Sequence, residues 1–272
     1  MPPQDDEACT TRRDRNNKIP RFTSVDGIEI AYYEWGAAGT LPPVLLHHGF
    51  ISNATVNWVT PGVVAALSDA GRQVIALDAR GHGASGKPHD PSVYGEDKMA
   101  RDLRQLVDVV GAAQVDLVGY SMGALVALLA ASQDARIHRL VVGGIGAGVV
   151  DLGGMESRRT RMTAVVAALL AEDPNTITEP VAKSFRAFAD RVGGDREALA
   201  AQAASAQVRP IPLDQITAPT LVLAGDSDPF AAQPEVLAAA IPTARVLILP
   251  GDHLSVVRNR RFAPAIVEFL SS

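Results

Sequence analysis

The chain has 272 residues, 47% of them hydrophobic, and a formal net charge of −5. This length suits one large α/β domain with an insertion, and the modest negative charge argues against a nucleic-acid partner. The single cysteine, Cys9, excludes an intramolecular disulfide framework. No run of about 20 apolar residues is present, so the sequence predicts a soluble protein that does not span a membrane.

Residues 1–18 carry charged and polar side chains and almost no apolar residue to bury, which predicts a disordered tail. Arg12 and Arg13 resemble the start of a twin-arginine export signal. Such a signal needs an apolar stretch next, whereas residues 14–18 are polar or charged. We therefore expect a cytoplasmic protein.

Eight short runs, most of them apolar, predict the strands of one sheet. The first two flank Val25-Asp26-Gly27-Ile28, which is typical of a hairpin turn, so the sheet begins antiparallel. The later strands alternate with helical segments, which indicates a mostly parallel sheet covered by helices on both faces. The strands are predicted at residues 21–25, 28–34, 44–47, 74–77, 115–118, 140–142, 220–224 and 245–249. The helices are predicted at residues 63–70, 97–110, 121–131, 234–240 and 262–270.

Residues 81–86 read Gly-His-Gly-Ala-Ser-Gly, which has the G-x-G-x-x-G spacing of a dinucleotide-binding loop and follows a predicted strand. A phosphate site of that kind requires a helix to begin at the loop. Residues 87–91 contain two prolines, which disfavour a helix at this point. We therefore predict no nucleotide cofactor. The sequence predicts no metal either, because it lacks H-E-x-x-H and the paired Cys and His spacings of zinc sites.

Gly119-Tyr120-Ser121-Met122-Gly123 joins a predicted buried strand to a predicted helix, so Ser121 lies on a strand-to-helix turn. A side chain on such a tight turn is held clear of the backbone, and the flanking glycines leave no Cβ to block it. A serine hydroxyl needs an imidazole to take its proton and a carboxylate to orient that imidazole. Ser121 is therefore a candidate nucleophile if both partners follow.

Candidates for both partners follow Ser121 in the expected order, acid before histidine. Asp226 and Asp228 lie just past the predicted strand 220–224, where open α/β sheets place ligand-binding groups. His253 follows the last predicted strand on a turn and reaches the same edge of the sheet. At this stage either aspartate could be the acid.

Two further motifs complete a resemblance to the α/β-hydrolase superfamily, which extends from about Phe22 to the C-terminus. Residues 45–50, Leu-Leu-His-His-Gly-Phe, resemble the family's strand and oxyanion turn, and residues 78–85 resemble its D-x-R-G-x-G-x-S loop. The resemblance implies the α/β-hydrolase fold. It also implies that the acid is Asp228, at the last position of G-x-x-D, with Asp226 as the runner-up.

The same resemblance assigns the oxyanion hole to the backbone amides of Phe50 and Met122. Fixed amides suit that task because acyl transfer places negative charge on a carbonyl oxygen. His48 and His82 are expected to hold loops through hydrogen bonds. The side chains expected in the substrate pocket are Phe50, Tyr120, Met122, Phe185 and Phe188.

The alternation of strands and helices stops between Gly143 and Pro210. The sequence therefore predicts a helical cap over residues 144–210, inserted between core segments 19–143 and 211–272, and we expect it to cover Ser121. Two stretches there have one apolar stripe each at helical spacing. The stripes comprise Met162, Val165, Val166, Leu169 and Leu170, then Val181, Phe185, Phe188 and Val192. An arginine cluster is predicted to face solvent rather than bind an acidic substrate; it comprises Arg158, Arg159 and Arg161.

The sequence thus predicts a serine hydrolase that cleaves a small to medium carboxylic ester or lactone, in which Ser121 attacks, His253 is the base and Asp228 orients His253. Enol-lactonases, cofactor-free haloperoxidases that act as perhydrolases, and carbon–carbon bond hydrolases share this triad and stay open as alternatives. Haloalkane dehalogenases and epoxide hydrolases carry Asp in place of the serine and are disfavoured. An alternative of another class is a non-catalytic ligand-binding protein. No oligomeric state is predicted.

Overall fold

The computed structural model describes residues 18–150, 162–205 and 209–272, and one sheet of eight strands lies at the centre of this part of the chain. The strands are β1 (Arg21–Thr23), β2 (Glu29–Trp35), β3 (Val44–His47), β4 (Val74–Leu77), β5 (Val115–Tyr120), β6 (Ile137–Gly143), β7 (Thr220–Gly225) and β8 (Ala244–Leu249). Their order across the sheet is β1-β2-β4-β3-β5-β6-β7-β8. The two pairings of β2 are antiparallel, and all other pairings in this sheet are parallel.

Helices cover the sheet from both sides. The α-helices of the described residues are α1 (Val63–Asp69), α2 (Glu96–Val110), α3 (Met122–Ala131), α4 (residues 162–170), α5 (Pro180–Val192), α6 (Arg196–Ala204), α7 (Pro234–Ala239) and α8 (Phe262–Ser271). Side chains of α2, α3 and α7 belong to one hydrophobic core, and those of α1 and α8 belong to a second. Every residue of β3, β4, β5 and β7 is buried, so these strands form nearly continuous apolar runs in the sequence.

This architecture confirms the predicted fold class, and each predicted strand is present with small shifts at its ends. Strand β1 ends at Thr23 because Ser24 already belongs to the hairpin turn, where its Oγ accepts a hydrogen bond of 2.8 Å from the amide of Ile28. Strand β6 begins at Ile137, three residues before the predicted start. The prediction placed the start too late because the first residues of the strand include the polar His138. The Nδ1 atom of His138 lies 2.9 Å from a carboxylate oxygen of Asp116 on β5.

The loop after β4 does not lead into a helix. Residues 84–90 contain no helical turn, and the next regular element is a single 3₁₀ turn, Pro91–Val93, before α2. The irregular connection expected from the two prolines is therefore present.

Helices α4, α5 and α6 lie between β6 and β7 in the chain, and the described residues of this segment contain no strand. Helix α5 begins after Glu179, whose side chain accepts a hydrogen bond from the amide of Ala182. The guanidinium of Arg186 donates to the carbonyl oxygens of Ala168 and Ala171, which fastens α5 to the end of α4. The apolar faces of the three helices form a third cluster together with Ile51 of the core. The limits of the predicted cap, 144–210, stay a prediction.

Several predicted features lie outside the described residues. They are the tail over residues 1–17, which includes Cys9, and the cluster of Arg158, Arg159 and Arg161. Within the described ranges, the helices are too short or too polar to cross a membrane.

Candidate active site

Ser121 lies between β5 and α3 in a backbone conformation that non-glycine residues rarely adopt, with φ 55° and ψ −115°. The turn depends on glycine at both flanking positions. A Cβ on Gly119 would lie 2.2 Å from the carbonyl oxygen of Gly123, and a Cβ on Gly123 would lie 2.1 Å from that of His47. The amide of Ser121 donates to the carbonyl of Gly143 over 2.8 Å. The backbone is thereby fixed on both sides of the half-buried Ser121 side chain.

The side chains of Ser121, His253 and Asp228 form a continuous hydrogen-bonded chain. Ser121 Oγ lies 3.0 Å from His253 Nε2, and His253 Nδ1 lies 2.8 Å from Asp228 Oδ2. The Asp228 side chain is fully buried, and its other oxygen accepts a 2.9 Å hydrogen bond from the amide of Phe230. His253 is 18% exposed. A buried carboxylate thus fixes the ring of a histidine that faces a hydroxyl, an arrangement that can withdraw the hydroxyl proton.

Asp226 does not contact His253. Its side chain accepts hydrogen bonds from the amide of Gly251, over 3.0 Å, and from the hydroxyl of Ser227, over 2.9 Å. These bonds lower the pKa of Asp226. Because Gly251 precedes His253 by two residues, Asp226 stabilises the turn that carries His253.

Tyr120 holds the loop that carries His253 in place. Its hydroxyl donates a 2.7 Å hydrogen bond to the carbonyl oxygen of His253, and the two rings lie 5.3 Å apart. Burial raises the pKa of Tyr120 well above its usual value, so the hydroxyl keeps the proton that it donates.

The turn after β3 brings Phe50 beside Ser121. A Cβ on Gly49 would lie 3.3 Å from Cβ of Ser121, so the two turns touch. Asn57 holds this arrangement by accepting a 2.9 Å hydrogen bond from the amide of Gly49. In the described part of the chain, the amides of Phe50 and Met122 donate to no acceptor. Two amides at neighbouring turns are therefore available for a ligand oxygen.

Two buried histidines fix the Phe50 turn in place. His48 Nδ1 donates to the carbonyl of Gly49, and its Nε2 accepts from the amide of Ala79. His82 has the same pattern, with the carbonyl of Arg80 and the amide of Ile51 as partners. A ring that donates from one nitrogen and accepts at the other is neutral. Accordingly, burial lowers the pKa of His82 to about 4 and that of His48 well below its usual range.

Ser121 opens into a cavity of about 380 Å³. Of the expected pocket residues, Phe50, Met122 and Phe185 line it, whereas Tyr120 and Phe188 do not. Tyr120 instead contacts the ring and the backbone carbonyl of His253. Phe188 packs in the cluster of α4, α5 and α6, one helical turn away from Phe185. The other lining residues include Glu96, Leu125, Ile145, Val149, Met162, Gln202, Ala203, Phe230, Gln233 and His253.

A second cavity, of about 340 Å³, lies on the other side of the Phe50 turn. It is lined by Ile51, Asp78, His82, Lys87 and Leu199, among others, and it includes neither Ser121 nor His253. The buried carboxylate of Asp78 is engaged there by the amides of Ala54 and Ala84. We therefore place the candidate site in the cavity that contains Ser121.

Comparisons with known proteins identify the family and agree with the fold. Residues 42–152 match the family described as alpha/beta hydrolase fold. A solved hydrolase from Pseudomonas aeruginosa PA01 is 30% identical with a TM-score of 0.76, over 93% of this chain and 98% of that one. The chain belongs to the α/β-hydrolase family. This α/β hydrolase also resembles the enol-lactonase from Burkholderia xenovorans LB400, at 27% identity and a TM-score of 0.70, over 93% of this chain and 100% of that one.

A curated relative matches a shorter part of the chain and agrees with this family assignment. Epoxide hydrolase A of Mycobacterium tuberculosis is 36% identical to this α/β hydrolase over 126 residues, which is 45% of this chain and 38% of the relative. The chain thus matches little more than a third of that relative's length.

Sequence reasoning missed several residues that line the cavity of this α/β hydrolase. Phe230 is the most informative, because its ring lies 4.7 Å from that of His253 and 6.4 Å from that of Phe185. Its position two residues after Asp228 is a signal that could have found it. Glu96 and Gln202 lie on helices far apart in the sequence, and only the folded chain brings both to the cavity of Ser121.

Proposed function

We propose that this α/β hydrolase is a serine hydrolase that cleaves a carboxylic ester or lactone of small to medium size through an acyl-enzyme intermediate. The observation that supports the proposal is the hydrogen-bonded chain from Ser121 through His253 to Asp228 at the wall of a 380 Å³ cavity. The cavity is large enough for a small ligand, and much of its wall is apolar.

In the proposed reaction, Ser121 Oγ attacks the carbonyl carbon while His253 Nε2 takes the hydroxyl proton. Asp228 stabilises the imidazolium that forms. The carbonyl oxygen becomes negatively charged and accepts hydrogen bonds from the amides of Phe50 and Met122, each worth about 3 kcal/mol. His253 then protonates the leaving alkoxide, which leaves an ester on Ser121. Water attacks this ester with His253 as base, and the acid is released with the serine restored.

The helices between β6 and β7 act as the cap in this proposal. Met162 of α4, Phe185 of α5 and Gln202 of α6 all line the cavity together with residues of the core. Such a cover limits the size of the acyl group and excludes water from the developing charge. The proposed substrate is accordingly a small molecule rather than a polymer.

The similar proteins catalyse several different reactions, and the serine at position 121 limits which of these reactions we propose for this chain. Epoxide hydrolases carry Asp at the position of Ser121, so ring opening of an epoxide through an alkyl-enzyme ester is disfavoured here. The enol-lactonase similarity covers most of the chain and supports an ester or lactone bond as the reacting group. We retain perhydrolysis and carbon–carbon cleavage as outcomes of the substrate test below.

The test combines a substrate panel with a serine variant. Purified protein is assayed on p-nitrophenyl esters of graded chain length and on lactones, and it is labelled with a fluorophosphonate. Ser121→Ala should lose both labelling and turnover, with turnover falling by several orders of magnitude, because only binding and the oxyanion amides then contribute.

The matched control is Ser271→Ala, an exposed serine at the end of α8, which should keep both signals. Retained turnover in the Ser121→Ala variant would exclude Ser121 as the nucleophile. A wild-type protein that binds ligands without labelling or turnover would favour the non-catalytic alternative.

A further inference from the structure

A buried amide side chain on helix α6 interrupts the wall of the Ser121 cavity. Gln202 is 2% exposed and lines the cavity together with Ser121. The same wall contains the apolar side chains of Met122, Leu125 and Ala203. A polar group placed in a wall of this kind fixes the orientation of a ligand. Gln202 is therefore a candidate for binding part of the substrate.

The hydrogen-bond partners of Gln202 fix the orientation of its amide group. The backbone amide of Gly95 can only donate, and it lies 3.4 Å from Oε1 of Gln202, so the NH₂ group faces away from Gly95. There, Nε2 lies 3.8 Å from Sδ of Met122, the residue directly after Ser121. Met122 belongs to the described cavity wall, whereas Gly95 does not. The N–H donors of Gln202 are therefore on the side of the cavity.

The NH₂ group of Gln202 has more donor capacity than its contacts use. It carries two N–H bonds, and its one acceptor among the described residues is Sδ of Met122. A thioether sulfur is a weak acceptor. A buried donor without a good partner costs free energy, and such a group calls for an explanation in a native structure. An acceptor oxygen of a ligand in the cavity supplies the missing partner.

We propose that Gln202 selects substrates that carry a second acceptor oxygen, a ketone or an ether, near the reacting carbonyl, over alkyl substrates of the same size. This inference rests on the proposed hydrolysis and names its substrate class. In that reaction the carbonyl oxygen lies at the amide of Met122, and the side chain of the same residue contacts the NH₂ group of Gln202. The second oxygen accepts from Gln202, whereas a methylene at that position leaves the N–H without this bond.

The experiment uses esters that match in length and differ in one group. In the acyl series, p-nitrophenyl hexanoate is compared with the 4-methoxybutanoate, 3-ethoxypropanoate and 5-oxohexanoate esters. In the alcohol series, butyl acetate is compared with 2-methoxyethyl acetate, and the released acid is titrated. The two series place the second oxygen on either side of the reacting carbonyl.

The decisive variant is Gln202→Met, which keeps the length of the side chain but donates no hydrogen bond. The ratio of kcat/KM for an oxygen-containing ester to that for its alkyl partner should fall about tenfold in at least one series. Comparing this ratio between wild type and variant removes differences in intrinsic reactivity. A purely structural role, through the bond to Gly95, would lower all kcat/KM values by the same factor. Unchanged ratios in both series would therefore overturn this inference.

Two further variants make the result specific. Gln215→Met is the matched control, because Gln215 is exposed and outside the described cavity wall, and it should leave every ratio unchanged. Thermal unfolding checks that each variant is folded. If Gln202→Met does not fold, Gln202→Glu at pH 8 carries the test. One carboxylate oxygen can still accept from the amide of Gly95, but an ionised carboxylate donates no hydrogen bond, so the ratios should fall in the same direction.

Binding separates this inference from the proposed function. The methyl esters of the acyl series and the two acetates are titrated calorimetrically into Ser121→Ala, with and without Gln202→Met. If the wild type turns over no ester but Gln202→Met abolishes tighter binding of the oxygen-containing members, the hydrolysis proposal fails and this inference stands. If esters are turned over with ratios that Gln202→Met does not change, this inference fails alone. If turnover and the difference in binding are both absent, both fail.

Discussion

Ser121 stores backbone strain at the point where the proposed chemistry occurs. A non-glycine residue at φ 55° costs on the order of 1–3 kcal/mol and persists only when its surroundings fix it. Here the hydrogen bond to Gly143 and the close approaches of Gly119 and Gly123 fix it. The other described non-glycine residues with positive φ are Ile51 and Gln233, and each lines one of the two cavities. Strain is therefore concentrated around the Phe50 turn and the Ser121 cavity.

Asp228 and Asp226 should respond differently to the same substitution. Asp228→Asn keeps the shape of the side chain but replaces the acceptor of His253 Nδ1 with an amide that favours the wrong tautomer, so kcat should fall by up to about 10⁴-fold. Asp226→Asn keeps an oxygen that can accept from Gly251, so kcat should change little. Steady-state kinetics of both variants on one activated ester measure the difference.

The two variants control for each other, since both aspartates follow β7, but Asp228 is buried against His253 whereas Asp226 is exposed and contacts Gly251 and Ser227. A collapse of kcat in the Asp226 variant alone would identify the other carboxylate as the triad acid. Equal, mild losses in both variants would show that neither is essential.

Helix α5 presents two phenylalanines that the sequence could not distinguish. Phe185 lines the cavity and contacts Phe50, with 5.9 Å between ring centroids, whereas Phe188 packs in the cluster of α4, α5 and α6 and does not line the cavity. We expect Phe185→Ala to move the preferred acyl chain towards longer esters, because it enlarges the cavity. Phe188→Ala should instead lower the free energy of unfolding by about 2 kcal/mol, less than for a fully buried phenylalanine, and leave the chain-length profile unchanged.

The chain-length profile and a urea unfolding curve, measured on both variants, separate the two roles. An unchanged profile in the Phe185 variant would exclude that ring from the substrate pocket.

The elements that sequence reasoning predicted well are those whose signal is local. Buried parallel strands such as β3 and β4 consist mostly of apolar residues and end in turns, so their bounds were predicted without error. The polar start of β6 was not predicted, because His138 is accommodated there by Asp116 on a neighbouring strand. The site residues show the same difference between local signals and contacts made only in the folded chain. Ser121, Asp228 and His253 follow strand ends, but Glu96 and Gln202 lie on separate helices and meet only at the cavity of the folded chain.

At the scale of the whole molecule, three buried histidines connect the site to the fold. His47, His48 and His82 are fully buried, and neighbouring rings lie 5.7 Å and 5.1 Å apart. They link the end of β3, the Phe50 turn and the loop after β4. Burial lowers the pKa of His47 to about 4, as it does for His82. Protonation of any one of them also disfavours protonation of its neighbours.

These histidines make the fold sensitive to mild acid. Because their pKa values in the folded protein lie below the unfolded value of about 6.5, the unfolded chain binds more protons between pH 4 and 6.5. Stability therefore rises with pH in this window; the full contribution is present above about pH 6.5 and is lost as pH falls towards 4. We expect the free energy of unfolding in urea to fall by about 2 kcal/mol or more between pH 7.5 and pH 5.

His89 provides the control for this acid effect. It is exposed and lies 3.1 Å from Asp195 and 2.8 Å from Glu197, and the hydrogen bond with Asp195 is the main cause of its raised pKa. A raised pKa contributes stability at low pH that is lost as pH rises, which is the opposite sign. His89→Gln should therefore leave the acid loss intact or enlarge it. An unfolding free energy that is the same at pH 7.5 and pH 5 in the wild type would show that the buried histidines do not control the acid stability of this fold.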